Sequence, residues 1–205
     1  ADEGEAYTAE VLGRITSTTK LGDVADCDLV VEAIAENVDL KLGFYKELGG
    51  ILKEGGIAAS NTSSLQITPM GEAFGRPKDF VGLHFFNPVQ MMKLCEVIHT
   101  DSSDPAVFEA TRTWAQRIGK TTVSCSDTPG FVVNRLLVPY LAQAMAMVDR
   151  KVASVPDIDV SMQLGAGHPM GPLHLADYIG LDTCLSILVG KLSNLLLYAV
   201  FISLL

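Results

Sequence analysis

The chain has 205 residues, 48% hydrophobic and 19% charged, a balance that builds a substantial core and excludes disorder. Its formal net charge of −9 excludes general nucleic-acid binding, which needs a basic footprint, and obliges any polyanionic ligand to find a local basic patch. The four cysteines (Cys27, Cys95, Cys125 and Cys184) form no C-x-x-C pair, which points away from a metal site and toward reduced, buried thiols of an intracellular protein.

Ala1 opens directly into helix-like sequence with no signal or transit segment, and ADEGEAYTAEVLGRI reads as the end of an amphipathic helix. LVVEAI, Leu29 to Ile34, is a near-continuous apolar run of the kind that forms a strand buried on both faces of a parallel sheet. NVDLKLGFYKELGGIL follows with helical spacing, which puts Leu40, Phe44, Leu48 and Leu52 on one face. GGIAASNT predicts a second strand with Asn61 to Ser64 at its C-terminal end, and LQITPMGEAF predicts a short helix with Pro69 near its start. FVGLHFF and LCEVIHT predict two more strands, separated by Asn87-Pro88. Asp104-Pro105 supplies a cap and a first-position proline for a helix that Gly119 closes, and TTVSCS is the last strand. Strands alternating with helices predict an α/β fold with a mostly parallel, Rossmann-like sheet.

After Ser126 no further strand is predicted. GFVVNRLLVPYLAQAMAMVDR, Val155 to Leu164, and Leu173 to Tyr178 read as three helices, so an all-α domain follows the sheet. The turn chemistry of DTPG places the boundary near Asp127 to Gly130, with domains at 1–126 and 127–205. The segment 184–205 is atypical: Lys191 is its sole charge. A buried helix, or sequence read past a splice junction, is the expected reading. A membrane anchor is the alternative, because the run is just long enough to span if Lys191 snorkels.

His84 ends one apolar run and Glu96 lies inside the next, LCEVI. A lone acid there is costly to bury unless something pairs it. A histidine with a carboxylate on its other ring nitrogen is a general base of fixed tautomer and orientation. The segment therefore predicts a catalytic dyad on two neighbouring strands.

Four motifs, SNTSSL, FVGLHFFNPVQMMKLCEVIHT, DTPGFVVNRLLVPYL and GAGHPMGPLHLADYIGLD, occur in an order that closely resembles the L-3-hydroxyacyl-CoA dehydrogenases of fatty-acid β-oxidation, above all the mitochondrial single-domain type. The resemblance runs from about Asp23 to Thr183. It implies an NAD-dependent oxidoreductase acting on acyl-CoA, a homodimer formed through the helical domain, and the mitochondrial matrix as compartment. Set against the family pattern, Ala1 falls after the first two strands. No G-x-G-x-x-G turn is present, so the chain reads as lacking the first strands of the sheet.

The resemblance implies a role for each candidate residue. His84 takes the proton of the substrate 3-hydroxyl, Glu96 stabilises the imidazolium, and Ser63 bonds the reacting oxygen near the nicotinamide. Asn134 contacts the substrate carbonyl and Asn87 the nicotinamide, while Glu36 and Lys41 touch the ribose region of NAD. Each has a plainer alternative: a helix cap for the neighbouring Ser64, an interhelical amide for Asn134, turn chemistry for Asn87, and an exposed charge pair for Glu36 and Lys41. His99, His168 and His174 are expected to be structural, and no metal site is expected. Two other functions compete: a non-catalytic chain that binds acyl-CoA or a partner subunit, and a related 3-hydroxyacid dehydrogenase, which would employ a lysine where this dyad stands.

Overall fold

A computed structural model describes residues 2–192. The exposed helix α1 (Asp2–Leu12) precedes five strands: β1 (Leu29–Glu32), β2 (Ile57–Ser60), β3 (Phe80–Phe85), β4 (Leu94–His99) and β5 (Thr121–Ser126). They form one sheet in the order β1-β2-β3-β4-β5. The pairings are parallel except between β3 and β4, which run antiparallel. The fold class expected from the alternating elements is therefore present.

Side-chain alternation along the strands divides the core into two layers. Ala58, Phe80 and Ile98 join helices α2 (Val38–Ile51) and α3 (Thr68–Phe74) on one face. Ala59, Val81, Val97 and Cys95 face helix α4 (Pro105–Arg117) on the other. His84 shares the parity of Phe80, and Glu96 that of Ile98, so both point to the α2–α3 side. Gly82 pairs with Ile98 two residues before His84, and a Cβ there would lie 2.9 Å from Ile98 Cβ. A larger residue would push β3 and β4 apart at the point where the dyad must close.

One expectation is corrected. The apolar face predicted for α2 is present in part: Leu48 and Leu52 are buried and Phe44 packs against the same core, but Leu40 is 52% exposed and Lys41 and Tyr45 are buried in addition. The reason is the buried carboxylate of Glu32 at the end of β1, which draws the ammonium of Lys41 and the hydroxyl of Tyr45 toward the sheet. Burial pushes the Cys95 and Cys125 thiols up to about 12, so neither is ionised at neutral pH.

The turn at Asp127 to Gly130 is tied to the sheet half. The Asp127 carboxylate accepts from the amides of Ile67 and Thr68 (2.9 and 2.8 Å) and from the Thr68 hydroxyl (2.6 Å), capping α3 from 59 residues away. Then come α5 (Val133–Asp149), α6 (Val155–Ala166), α7 (Pro172–Ile179) and α8 (Leu181–Leu192). Leu141, Ala176 and Cys184 form a core where α5, α7 and α8 meet. The apolar tail thus begins within a packed helix, and its remainder, 193–205, lies outside the described residues. Among the described residues no helix is long and apolar enough to cross a membrane.

Candidate active site

His84 and Glu96 stand directly opposite in the antiparallel β3–β4 register. His84 Nδ1 is 2.7 Å from Glu96 Oε2, and both side chains are buried. Burial pushes the Glu96 carboxyl up. The bonds from His84 and from the Val133 and Val132 amides, with the charge of His84, outweigh it and hold the group below the usual carboxylate value. The Val132 and Val133 amides, at the entrance to α5, donate to Oε1 at 3.1 and 2.9 Å. Glu96 is therefore an ionised acid whose two oxygens are both occupied, one by the base and one by a helix N-terminus, where an anion is favoured.

With Nδ1 donating to Glu96, neutral His84 turns the lone pair of Nε2 outward. Ser63 Oγ lies 3.1 Å from it. Ser63 sits on the turn after β2, beyond the C-terminal end of a parallel strand, where sheets of this kind bind ligands. Phe86 and Phe131 close on the imidazole, with ring centroids 4.4 and 5.6 Å away. Asn134, at the start of α5, donates from Nδ2 to the Ser63 carbonyl at 3.0 Å. Four of the predicted residues, His84, Glu96, Ser63 and Asn134, therefore meet in one place. A proton acceptor (Nε2) and a hydroxyl (Ser63 Oγ) stand 3.1 Å apart beside an ionised carboxylate, groups of the kind general-base catalysis needs.

Glu36 lies beneath the same turn. Its Oε1 accepts from the Ser63 and Ser64 amides at 3.0 and 3.3 Å and from the Thr62 hydroxyl. Burial raises its pKa, but the Thr62 bond, the Lys41 charge and the Ser63 amide together lower it below the ordinary value. Its side chain remains 39% exposed. Ser64, which sequence alone left as a possible cap of α3, bonds Glu36 instead. Lys41 is neither presented to a ligand nor part of an exposed pair. It is 1% exposed and bonds Glu32 Oε1 (2.5 Å), the Ile34 carbonyl (3.3 Å) and Glu36 Oε2 (3.3 Å). Asn87 is exposed on the loop three residues beyond His84. His168 bonds the Tyr140 hydroxyl at 3.1 Å, away from the dyad in the helical half.

Sequence reasoning missed Glu32, Tyr45 and Ser60, which form a buried polar cluster behind the Ser63 turn, and Asn61, whose Oδ1 accepts from the Phe85 amide at 2.9 Å. Glu32 had the same signal that singled out Glu96, an acid inside an apolar strand. The Val132 and Val133 amides had none, because a backbone donor has no sequence signature.

Two family models match the chain: "3-hydroxyacyl-CoA dehydrogenase, NAD binding domain" over residues 2–128, and "3-hydroxyacyl-CoA dehydrogenase, C-terminal domain" over residues 130–196. A probable 3-hydroxybutyryl-CoA dehydrogenase of Deinococcus radiodurans is 55% identical, over 87% of this chain and 64% of its own length. The human mitochondrial hydroxyacyl-coenzyme A dehydrogenase is 50% identical, over 91% of this chain and 60% of its own. The crystal structure of (S)-3-hydroxybutyryl-CoA dehydrogenase from Ralstonia eutropha superposes with a TM-score of 0.89 at 41% identity, covering 92% of this chain and 67% of that one. The chain thus spans somewhat under two thirds of the length of the curated relatives it matches.

Proposed function

The chain belongs to the 3-hydroxyacyl-CoA dehydrogenase family, and from that premise we propose that it oxidises L-3-hydroxyacyl-CoA to 3-oxoacyl-CoA with NAD. The observation that carries the reading is His84 held between Glu96 and Ser63 at 2.7 and 3.1 Å. The nicotinamide end of the cofactor suits the residues around the dyad: Ser63, the exposed Asn87 three residues beyond His84, and the partly exposed carboxylate of Glu36 are polar. When bound, NAD supplies the hydride acceptor. The chain's own groups do the rest. Ser63 Oγ and Asn134 orient the substrate, His84 Nε2 takes the proton of the 3-hydroxyl, and Glu96 balances the imidazolium that forms. Phe86 and Phe131 shield the imidazole from water, which strengthens its pairing with Glu96.

The division at residues 126 and 127 is the working domain boundary. A homodimer through the helical half accords with its exposed Leu136 and Tyr178, and a mitochondrial compartment accords with the names of the mammalian relatives. A second reading is acyl-CoA binding without turnover.

The test is NAD-dependent oxidation of L-3-hydroxybutyryl-CoA by the chain and by its His84→Gln variant. Loss of most of kcat with little change in substrate affinity is expected, and unchanged kcat would refute the base. Calorimetry with NADH addresses the second reading: acyl-CoA binding with neither NADH binding nor turnover would favour it.

A further inference from the structure

Glu32 takes no part in the chemistry above, yet four donors converge on its carboxylate. The Ile34 amide and the Lys41 ammonium reach Oε1 at 2.7 and 2.5 Å, and the hydroxyls of Ser60 and Tyr45 reach Oε2 at 2.8 and 3.0 Å. The side chain is 0% exposed and that of Lys41 is 1%. Two routes run from this carboxylate to the Thr62–Ser64 turn. One passes through Lys41 to Glu36, whose other oxygen holds Thr62 and the amides of Ser63 and Ser64. The other passes through Ser60, which donates to Glu32 and accepts from the Thr62 amide at 3.2 Å. Both routes end on the segment that carries Ser63.

A buried ion pair is weak support for stability, since well-packed apolar residues of similar volume often serve as well or better. Apolar residues could not set a cation against Glu36 or orient Ser60. We propose that Glu32 is a positioning residue: through Lys41 and Ser60 it sets the Thr62–Ser64 turn and so holds Ser63 Oγ at hydrogen-bond distance from His84 Nε2. The consequence for rate rests on the dehydrogenase reading. The consequence for the Ser63–His84 bond does not.

The experiment uses the full chain with isotope-labelled histidine nitrogens and no ligand. The His84 resonances are identified by their loss in His84→Gln, and Ser63→Ala marks where Nε2 resonates without its partner. In Glu32→Gln/Lys41→Met both charges are removed together; with its oxygen toward the Ile34 amide, the new side chain donates to the hydroxyl oxygens of Tyr45 and Ser60. The melting temperature should stay within about 4 °C of the parent, a change of roughly 1 kcal/mol for a chain of this size. The Nε2 resonance should move toward its position in Ser63→Ala, and turnover should fall about 10- to 100-fold, the penalty for a misplaced catalytic group. An Nε2 resonance that stays at the parental position would overturn the proposal. Should the pair variant fail to fold, Ser60→Ala cuts the second route alone: a resonance part-way to the Ser63→Ala position supports the proposal, and an unmoved one overturns it. A shifted resonance in a chain that shows no turnover even in its parental form would support this inference while sinking the dehydrogenase reading.

Discussion

Between β1 and β5 most polar groups of the site are buried and bonded to one another, whereas α5 to α8 contribute few polar groups to it and also turn large apolar side chains outward. Glu32, Lys41, Ser60, Thr62, His84 and Glu96 are all at most 3% exposed. In the helical half Leu136, Leu164 and Tyr178 are 71%, 85% and 72% exposed, and Leu136 and Tyr178 line an open apolar groove of about 670 Å³ with Val132, Tyr140 and Leu175. The difference teaches where accuracy resides. A buried carboxylate must have its partners placed to a few tenths of an ångström or it is costly, so the sheet half is built around them. The helical half delivers to that centre two backbone amides and Asn134, and its remaining large surface is of the kind that makes contacts rather than chemistry.

The largest expected effect breaks the link between the halves. Glu96→Gln replaces an acceptor that faces His84 on one side and the Val132 and Val133 amides on the other. Its amide nitrogen either meets the Val132 and Val133 donors or faces His84 Nδ1 and drives the ring proton onto Nε2, the wrong tautomer for a base. Turnover of L-3-hydroxybutyryl-CoA should fall about 10²- to 10⁴-fold, the range for losing an oriented general base. Unimpaired steady-state turnover would mean that the dyad does not drive the reaction.

Core truncations test whether the sheet half is the more demanding. Phe80, which packs edge-on to Tyr45 at 4.8 Å, is fully buried, and Phe80→Ala should cost about 3–5 kcal/mol. Leu141→Ala, in the core of α5, α7 and α8, should cost about 2–5 kcal/mol. Denaturant unfolding reads both. A larger loss at Leu141 than at Phe80 would reverse the comparison.

Asn134→Ala removes the side chain through which α5 reaches Ser63. The loss in kcat/KM should be about five- to tenfold, what one neutral hydrogen bond of ~1 to 1.5 kcal/mol contributes. A loss as large as that of Glu96→Gln would place Asn134 in the proton-transfer step itself.

The smallest effect near neutral pH is acid sensitivity. Glu96 and Glu36 both have folded values below their ordinary 4.5. A depressed carboxylate contributes stability that is fully present above the unfolded value and is lost as pH falls through the folded one. Thermal melts should therefore be level in this respect from neutrality to about pH 5 and then decline. In Glu96→Gln the decline should be shallower, and an equal decline would show that Glu96 is not the group that titrates.

Much of this was legible in one dimension. Short apolar runs and helical spacing locate the strands and most helices, and an acid stranded in LCEVI points to the His84 partner before any contact is known. The face of α2 was read too narrowly because Lys41 and Tyr45 count as surface residues in an apolar pattern. Nothing local reveals that Glu32, nine and thirteen residues away from them, is waiting on the sheet. By itself, then, the sequence determined the fold class, the order of elements and the chemistry-bearing pair, because periodicity and an isolated charge are properties of neighbouring residues. Only the tertiary structure decided that the Val132 amide reaches Glu96 across 36 residues and Asn134 reaches Ser63 across 71, and that Lys41 is buried. Those facts depend on how β4, α5 and the turn after β2 pack together, and burial of a charge is settled by the partners that packing brings to it.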